Sequence, residues 1–449
     1  MSEPFVVIGG DAAGMSAASK ARRAAPERDI VVFERGEWVS YGACGLPYYV
    51  KGEIDSLDEL VSVTPETFRE KRNIDLRTGH EVTAIDTDSR TVTVEGPDGT
   101  IEQAYGDLLV ATGASANVPP IEGVERADVY TLHDMEHGRA IKERLESGDP
   151  PESVGIVGGG YVGVEMAEAF RAHDLDVELF EMLPHVLQPF GEAVGEAVQG
   201  ELDAKGVSVH VDTAVEGFEG GEAVEAIRTP DDRVPVDMVL VGAGVSPNTA
   251  LAAQAGIEIG ETGAIATDEY GHTSATDVYA AGDCAEMTHA VTGQPAHVPL
   301  ALTANRAGRA VGQTVTGTPT AVGEIAGTAA VKAFDLEAAR TGVIDEERAR
   351  DAGFDPVSRT ITTESRAGYY PGGSPIEITL VGDRPTGRVL GASMVGEEGV
   401  SKRIDTVATA LHTELTVEEL ERLDLAYAPP FGPTWDPVLT AAKVLAGSL

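Results

Sequence analysis

The sequence predicts an α/β fold with two β–α–β units, followed by a separate α+β region. Apolar strands run into glycine-rich turns at residues 4–10 and again at 153–160, and each turn is followed by a helical pattern and a second strand. After about residue 323 the glycine patterns stop. Strand-like runs then lie at about 328–333, 376–381 and 388–395, and a helical run lies at about 400–412.

The first unit places a glycine turn between a strand at residues 4–10 and a helix at residues 12–24. Gly9 and Gly14 allow a tight turn and close helix packing, and the start of the helix offers free N–H groups to a pyrophosphate. Glu34 ends the next apolar strand, 20 residues after Gly14. We expect its carboxylate to accept a hydrogen bond from a ribose hydroxyl, so the unit predicts a dinucleotide site.

The glycine pattern is broken in the first unit and intact in the second. Asp11 stands where the pattern G-x-G-x-x-G has its middle glycine. Since a carboxylate repels a phosphate, we expect the Asp11 side chain to point away. Gly158, Gly160 and Gly163 complete the pattern in the second unit. An acid, Glu181, follows 18 residues later, and the pair of units predicts two Rossmann-like dinucleotide-binding domains.

Glu181 predicts which nicotinamide cofactor the second unit binds. A carboxylate accepts from a free ribose 2′-hydroxyl and repels a 2′-phosphate. The following segment, Met182-Leu183-Pro184, contains no arginine that would hold such a phosphate. We therefore expect NADH rather than NADPH.

Two further segments are predicted to lie beside a cofactor. The apolar run at residues 108–114 breaks at small residues, including Thr112 and Gly113, where the chain can cross between domains. A second apolar run, at residues 273–283, is predicted to form a buried strand that ends in Gly-Asp. We expect Asp283 to meet a cofactor hydroxyl there.

Cys44 is the candidate redox residue. The chain has two cysteines, and Cys284 lies far away in sequence. Gly42 and Gly45-Leu46-Pro47 flank Cys44, and a helix start at this point is expected to lower the pKa of the thiol. Because no second thiol is nearby, its oxidised form must be a mixed disulfide with a small thiol, a persulfide or a sulfenic acid. We interpret Cys284 as a buried, inert thiol.

The composition is strongly acidic, with 74 Asp and Glu against 33 Lys and Arg and a net charge of −41. A specific cationic partner would explain this charge, but the acids are dispersed, which favours a cytoplasmic protein adapted to high salt. The charge argues against a nucleic-acid partner. No run of 18 apolar residues predicts a membrane span. We expect no metal site, since His133, His137, His173 and His185 lack ligand spacing.

Together these motifs resemble the flavin-dependent pyridine nucleotide–disulfide oxidoreductases over essentially the whole chain. The stretch from Ser40 to Tyr48, with Cys44-Gly45-Leu46-Pro47 at its centre, resembles the single-cysteine branch of that family. This branch holds coenzyme A disulfide reductases, NADH oxidases and CoA-dependent persulfide or polysulfide reductases. The segments Tyr369-Tyr370-Pro371-Gly372 and Ala426-Tyr427-Ala428-Pro429-Pro430-Phe431 are most similar to coenzyme A disulfide reductase.

The resemblance implies three domains and a homodimer. Residues 1–117 and 246–322 would bind FAD, residues 118–245 would bind the nicotinamide, and residues 323–449 would form a dimerisation domain. Electrons would pass from NADH through FAD to Cys44 and on to a low-molecular-weight disulfide, with CoA disulfide as the first candidate. The alternatives are NADH oxidation by oxygen, CoA-dependent persulfide or polysulfide reduction, and electron donation to a partner protein.

The resemblance also implies site residues outside the glycine turns. Tyr427, and less strongly Tyr369, would enter the partner subunit's active site, and Tyr161 would cover the flavin. Simple packing or interface formation explains these tyrosines equally well. Polar residues match the family's CoA contacts in kind at Ser16, Lys20, Arg23, Ser40, Arg72 and Asn305. Ala43 and Trp435 replace polar residues of CoA-binding relatives, which weakens the prediction of CoA specificity.

Overall fold

The computed structural model describes residues 3–449 and contains three five-stranded sheets. The strands of the first two sheets run parallel, and those of the third run antiparallel. Each glycine turn follows the central strand of a parallel sheet, the usual place for a nucleotide. The predicted α/β fold, with two β–α–β units and a C-terminal α+β domain, is therefore confirmed.

The first sheet carries the first glycine turn. Its strands lie in the spatial order Val278–Ala280, Asp107–Val110, Phe5–Ile8, Ile30–Glu34 and Asp75–Thr78. Alternate residues of the central strand face two cores, one of which contains the helices Ala12–Ala24 and Ala301–Thr314. These helices approach closely, since a Cβ added to Gly308 would lie 2.0 Å from the carbonyl oxygen of Ala13.

The second sheet carries the second glycine turn. Its strands lie in the order Val207–His210, Asp176–Phe180, Ser153–Val157, Met238–Val241 and Val129–Thr131. The helices around it are Met135–Leu145, Tyr161–Ala172 and Glu192–Ala204. Its core also contains Leu46 and Val50, from the helix Leu46–Lys51, and Val331 from the third sheet. The segment that follows Cys44 is therefore packed against the second sheet.

The third sheet forms the C-terminal domain. Its strands lie in the order Ala329–Ala333, Leu336–Gly342, Val389–Gly396, Pro375–Asp383 and Pro356–Glu364. The helices of this domain are Glu346–Asp351, Val400–His412, Val417–Glu421 and Pro437–Ala446. The central strand Val389–Gly396 is buried along its whole length, as expected for a strand with helices packed on it.

Smaller elements connect these units. Two three-stranded sheets consist of Glu81–Asp86, Thr91–Gly96 and Gly99–Ala104, and of Gly217–Glu219, Ala226–Arg228 and Arg233–Pro235. Two strand pairs consist of Ala114–Ala116 with Val245–Pro247, and of Met287–Thr288 with Pro295–Ala296. The remaining short helices are Ala43–Gly45, Leu57–Leu60, Thr67–Lys71, Gln188–Phe190 and Ala250–Gln254. Across residues 3–449, no helix combines the length and the apolar character that a membrane crossing needs.

The strand predicted over residues 273–283 is shorter than expected. Only Val278–Ala280 is strand. Asp277 and Gly282 have φ angles of 58° and 89°, which turn the chain out of an extended conformation on either side. Asp283 therefore lies in the turn that follows the strand.

Candidate active site

Both glycine turns use the same steric arrangement. Gly9 and Gly158 have φ angles of 110° and 109°, a region that glycine enters without strain. A Cβ on Gly14 would lie 1.9 Å from the carbonyl oxygen of Gly9, and one on Gly163 would lie 2.0 Å from that of Gly158. Each helix therefore begins directly against its turn, and a larger residue at these positions would separate them.

Each turn also holds the carboxylate that ends the second strand. Glu34 accepts hydrogen bonds from the N–H groups of Gly10 and Gly36, at 2.7 Å each. Glu181 accepts from Gly159 N–H at 2.7 Å and from Leu183 N–H at 2.9 Å. Both predicted ribose acceptors thus lie at a glycine turn, with their orientation set by two backbone donors.

The two turns differ at their middle position. At Gly160, no atom lies within 4 Å of an added Cβ, so the second turn faces open space. Asp11 fills the equivalent position in the first turn, and its carboxylate accepts from Tyr41 N–H at 3.0 Å. The side chain is thus directed to the cysteine segment. Burial raises the pKa of Asp11 to about 6, with smaller contributions from the charges of Glu34 and Asp283.

The two chain segments that connect the first parallel sheet to the second contact each other beside the first glycine turn. Thr112 Oγ1 donates to the carbonyl oxygen of Asn248 at 2.7 Å, and Asn248 N–H donates to that of Gly113 at 2.9 Å. Asp283 lies close enough to Asp11 and Cys44 to affect the pKa of both. Burial raises the pKa of Asp283 itself. The predicted cofactor residues of the first unit are thereby brought around one turn.

These features fit two dinucleotides. Each parallel sheet presents a glycine turn, a helix start and an oriented carboxylate, which are the groups that bind a pyrophosphate and a ribose. The open space at Gly160 gives the second cofactor room to approach. Tyr161 begins the helix there; its hydroxyl accepts from Arg340 at 3.4 Å, and its ring lies 5.4 Å from that of Phe190. Its predicted contact with a flavin stays a prediction.

Cys44 is exposed in the turn Ala43–Gly45, directly before the helix Leu46–Lys51. Gly42 N–H donates to the carbonyl oxygen of Leu60 at 2.9 Å, which anchors the turn. A Cβ on Gly45 would lie 2.3 Å from a methyl carbon of Leu60, so a larger residue here would displace the Leu60 side chain. The backbone around the thiol is therefore held on both sides.

The expectation that the helix start lowers the pKa of Cys44 is wrong when only the groups of the protein chain act on the thiol. Partial burial raises the pKa of the thiol, and the charges of Glu165, Asp283 and Asp11 raise it further. The helix that follows has only six residues, and burial together with the three acids disfavours the thiolate. These acids come from distant parts of the chain, so the local sequence did not reveal them.

Cys284 is buried and cannot act as a resolving thiol for Cys44. Its relative exposure is 0%, and its sulfur lies 3.5 Å from the carbonyl oxygen of Val110. Burial raises the pKa of this thiol. The prediction that Cys284 is buried is confirmed.

Glu165 is a candidate site residue that the sequence analysis missed. It lies on the helix Tyr161–Ala172, and its carboxylate accepts from the Tyr48 hydroxyl at 3.3 Å. Burial raises the pKa of Glu165 to about 7. One signal was available in the sequence, because Tyr48 and Lys51 have the same three-residue spacing as Glu165 and Glu168.

The C-terminal tyrosines contact each other. The hydroxyls of Tyr369 and Tyr427 lie 2.7 Å apart, and the side chains are 75% and 46% exposed. The hydrogen bond that the two hydroxyls share lowers the pKa of Tyr427 and raises the pKa of Tyr369. The pair is therefore an exposed polar group with one tyrosine made more acidic.

Several of the predicted CoA contacts lie on one surface. Ser16 donates to the side-chain oxygen of Asn305 at 2.6 Å, across the two packed helices. Lys20, one turn along from Ser16, borders a groove of ≈ 520 Å³ that Arg306 and Arg309 also line. The structure thus brings three predicted residues together beside two arginines that the sequence analysis did not include.

The other predicted contacts are more scattered. Arg23 is exposed further along the same helix, and Arg72 donates to Ser19 Oγ at 2.8 Å. Ser40 has a φ angle of 51°, and its N–H donates to the carbonyl oxygen of Gly10 at 3.1 Å, which joins the cysteine segment to the first turn.

A positive charge lies beside Trp435. The ammonium of Lys443 lies 4.9 Å from the centre of the Trp435 ring, within the range of a cation–π contact. Trp435 is half-exposed, so both groups can face a ligand or a second subunit.

Comparisons with known proteins agree with this arrangement. The model of the pyridine nucleotide-disulphide oxidoreductase family matches residues 3–305, and the model of its dimerisation domain matches residues 328–437. The chain is 41% identical over 446 residues to the NAD(P)H coenzyme A polysulfide/persulfide reductase of Pyrococcus horikoshii, covering 99% of both chains. It is 31% identical over 431 residues to the coenzyme A disulfide reductase of Staphylococcus aureus, covering 95% and 96%.

A solved structure shows the same similarity. The chain superposes on the NAD-dependent persulfide reductase of A. fulgidus with a TM-score of 0.96 and 40% identity, covering 99% of this chain and 83% of the other. The chain belongs to the pyridine nucleotide-disulphide oxidoreductase family, and it is an FAD-dependent oxidoreductase that uses NAD(P)H.

Proposed function

We propose that this enzyme reduces a coenzyme A-linked sulfur substrate, either CoA disulfide or CoA persulfide, through the single thiol of Cys44. The observation that carries this proposal is the isolation of Cys44, which is exposed while the other cysteine, Cys284, is fully buried. Without a second thiol in reach, Cys44 must form its oxidised state with a group from outside the chain, and in this proposal that group is the sulfur of the substrate. Relatives that span the chain are named as reductases of such substrates.

In this proposal the chain's own residues handle the sulfur and the proton. The Cys44 thiolate attacks one sulfur of the disulfide, a new S–S bond forms, and one CoA leaves as a thiolate. FAD held at the first glycine turn would supply the two electrons that cleave the mixed disulfide, and a nicotinamide held at the second turn would supply them to the flavin. The second CoA then leaves, and a tyrosine donates the proton that the leaving thiolate needs.

Tyr427 is the proposed proton donor, with Tyr369 as its partner. The lowered pKa of Tyr427, caused by the hydrogen bond that it shares with Tyr369, makes it the better acid of the two. Their exposed position on the C-terminal domain suits a homodimer in which each pair enters the partner subunit's active site. Tyr427→Phe is expected to lower kcat with the sulfur substrate by about tenfold or more, a typical contribution of general acid catalysis.

The substrate is proposed to lie along the surface of Ser16, Lys20 and Asn305. Cations and hydroxyls are the groups that bind the phosphates of coenzyme A. Arg23, Ser40 and Arg72 extend this candidate site. The proposed domain limits are residues 1–117 with 246–322 for FAD, residues 118–245 for the nicotinamide, and residues 323–449 for dimerisation.

The test is an anaerobic comparison of oxidants. NADH oxidation is measured with CoA disulfide, CoA persulfide, inorganic polysulfide and disulfides of other small thiols. We expect the CoA-linked substrates to give the highest kcat/KM. If no sulfur substrate oxidises NADH faster than oxygen does, the enzyme is an oxidase and the proposal fails.

The dispersed negative charge suits a protein from a halophile. A net charge of −41 makes the folded state repel itself, and salt screens this repulsion over a Debye length of about 3 Å at 1 M. We therefore expect Tm to rise as KCl is increased from about 0.1 to 1 M, the range in which screening becomes strong. A Tm that falls over this range in thermal scans would count against adaptation to salt.

A further inference from the structure

A buried carboxylate joins three parts of the molecule beside the helix that follows Cys44. Glu168 lies on the helix Tyr161–Ala172 and is 7% exposed. One of its oxygens accepts from the ammonium groups of Lys51 and Lys332, at 2.7 Å each, and the other accepts from Phe334 N–H at 2.8 Å. All of its strong donors therefore come from outside its own helix.

The contacts keep this buried group ionised. Burial by itself would raise the pKa of Glu168, but hydrogen bonds from Lys332, Lys51 and Phe334 N–H lower it below its usual value. Without the Glu168 carboxylate, the mostly buried ammonium of Lys51 would keep only the exposed Glu53 as a partner, and Lys332 would lose its contact with the helix Tyr161–Ala172. A neutral residue at position 168 is therefore expected to release its partners.

The partners belong to different units of the fold. Lys51 is the last residue of the helix Leu46–Lys51, which begins two residues after Cys44. Lys332 lies near the end of the strand Ala329–Ala333, and Phe334 lies in the turn between this strand and Leu336–Gly342. Glu168 itself follows the second glycine turn. Through these contacts the cysteine helix, the nicotinamide unit and the C-terminal domain meet at one carboxylate.

We propose that Glu168 is a positioning residue for Cys44, which holds the cysteine helix in place against the C-terminal domain. The inference rests on the proposed function, in which Cys44 is the reacting thiol. A displacement of about 1 Å at a reacting group can reduce the rate by about 100-fold. Loss of the Lys51 contact is therefore expected to affect the thiol even though Glu168 does not touch it.

The helix Leu46–Lys51 also contacts a charged group that affects the pKa of the thiol. Tyr48 donates to Glu165, and the charge of Glu165 is one of those that raise the pKa of Cys44. A shift of the helix would change this contact as well. The reactivity of the thiol should therefore respond together with the turnover number.

The test uses Glu168→Gln in the holoenzyme, with Lys51→Gln as the second variant. We expect kcat with the sulfur substrate to fall by about tenfold or more, while KM for NADH changes by less than about twofold, because the nicotinamide site is left intact. The pH dependence of Cys44 alkylation by iodoacetamide, followed by mass spectrometry, should also shift. A purely structural role would lower Tm without moving this profile.

Glu201→Gln is the matched control. Glu201 lies on the helix Glu192–Ala204, accepts from Asp335 N–H at 3.2 Å and pairs with Lys205 at 3.5 Å. It thus joins the second and third sheets near the same hairpin but contributes nothing to the cysteine helix. We expect wild-type kcat and a wild-type alkylation profile for this variant.

The outcomes separate this inference from the proposed function. An unchanged kcat and alkylation profile in both Glu168→Gln and Lys51→Gln, or an equal loss in Glu201→Gln, would overturn the positioning role. If Glu168→Gln does not fold, Lys51→Gln decides by itself. Should alkylated wild-type enzyme keep its turnover, the proposed function fails, but the alkylation profiles still report on the position of the thiol.

Discussion

The two glycine turns are built alike but connected differently. Both have a glycine at a φ angle near 110° and a carboxylate held by two N–H groups. At the middle position, Asp11 of the first turn is buried and bonded to Tyr41 N–H in the cysteine segment, whereas Gly160 of the second turn faces open space. The first turn is thereby bonded to the segment that contains Cys44, whereas the second turn has open space in which a ligand can bind and leave.

This difference matches what the two cofactors need to do. A flavin stays bound through many turnovers and must keep a constant position relative to the thiol. A nicotinamide must enter and leave in every cycle, which an open turn permits. The contrast at Asp11 and Gly160 therefore supports the proposal of a resident cofactor at the first turn and an exchanging one at the second.

The largest expected effect comes from adding one methyl group to each turn. Gly14→Ala places a Cβ 1.9 Å from the carbonyl oxygen of Gly9, so we expect loss of bound flavin or of folding. Gly160→Ala meets no protein atom, so we expect a folded, flavin-containing enzyme with a KM for NADH raised several-fold. Flavin absorbance of the purified variants and steady-state kinetics measure both. Equal flavin loss in the two variants would break the comparison.

A second effect concerns the choice of nicotinamide at the second turn. The double change Glu181→Gln with Met182→Arg removes the carboxylate that repels a 2′-phosphate and adds a cation that binds it. We expect the ratio of kcat/KM for NADH over NADPH to fall by about tenfold or more, since bidentate charge recognition contributes strongly. Gln at position 181 without the arginine serves as the control. A wild-type preference for NADPH would contradict the role of Glu181.

The smallest effect tests the connection between the first turn and the thiol. Asp11→Asn removes a negative charge that raises the pKa of Cys44. Because fewer negative charges favour the thiolate, the midpoint of the alkylation profile should move to lower pH, and alkylation at neutral pH should accelerate a few-fold. A midpoint that moves to higher pH, or stays in place, would show that Asp11 does not affect the thiol.

The glycine turns could be predicted from the sequence because their requirements are local. Gly9 and Gly14 are spaced so that a strand, a tight turn and a helix can follow one another, and the same holds for Gly158 and Gly163. The isolation of Cys44 was also visible, since it depends only on the number of cysteines. These inferences needed no knowledge of which distant segments come together.

Features that depend on distant contacts were missed or predicted wrongly. The helix Ala301–Thr314 was not predicted; its buried face consists largely of small residues, including Gly308, that pack against the distant helix Ala12–Ala24. The strands Leu336–Gly342 and Pro356–Glu364 were also missed, although each pairs with a strand that lies next to it in chain order. The pKa of Cys44 was misjudged because its partial burial and the charges of acids from three other segments depend on contacts that the local sequence does not show.

The most direct test of the account is the Cys44→Ser enzyme under anaerobic conditions. NADH should reduce its flavin at close to the wild-type rate, because both glycine turns are intact. Turnover with CoA disulfide and CoA persulfide should fall by about 1,000-fold or more, as expected when a covalent nucleophile is removed. Retention of sulfur-substrate turnover in Cys44→Ser would contradict the central claim that this one thiol receives the electrons and passes them on.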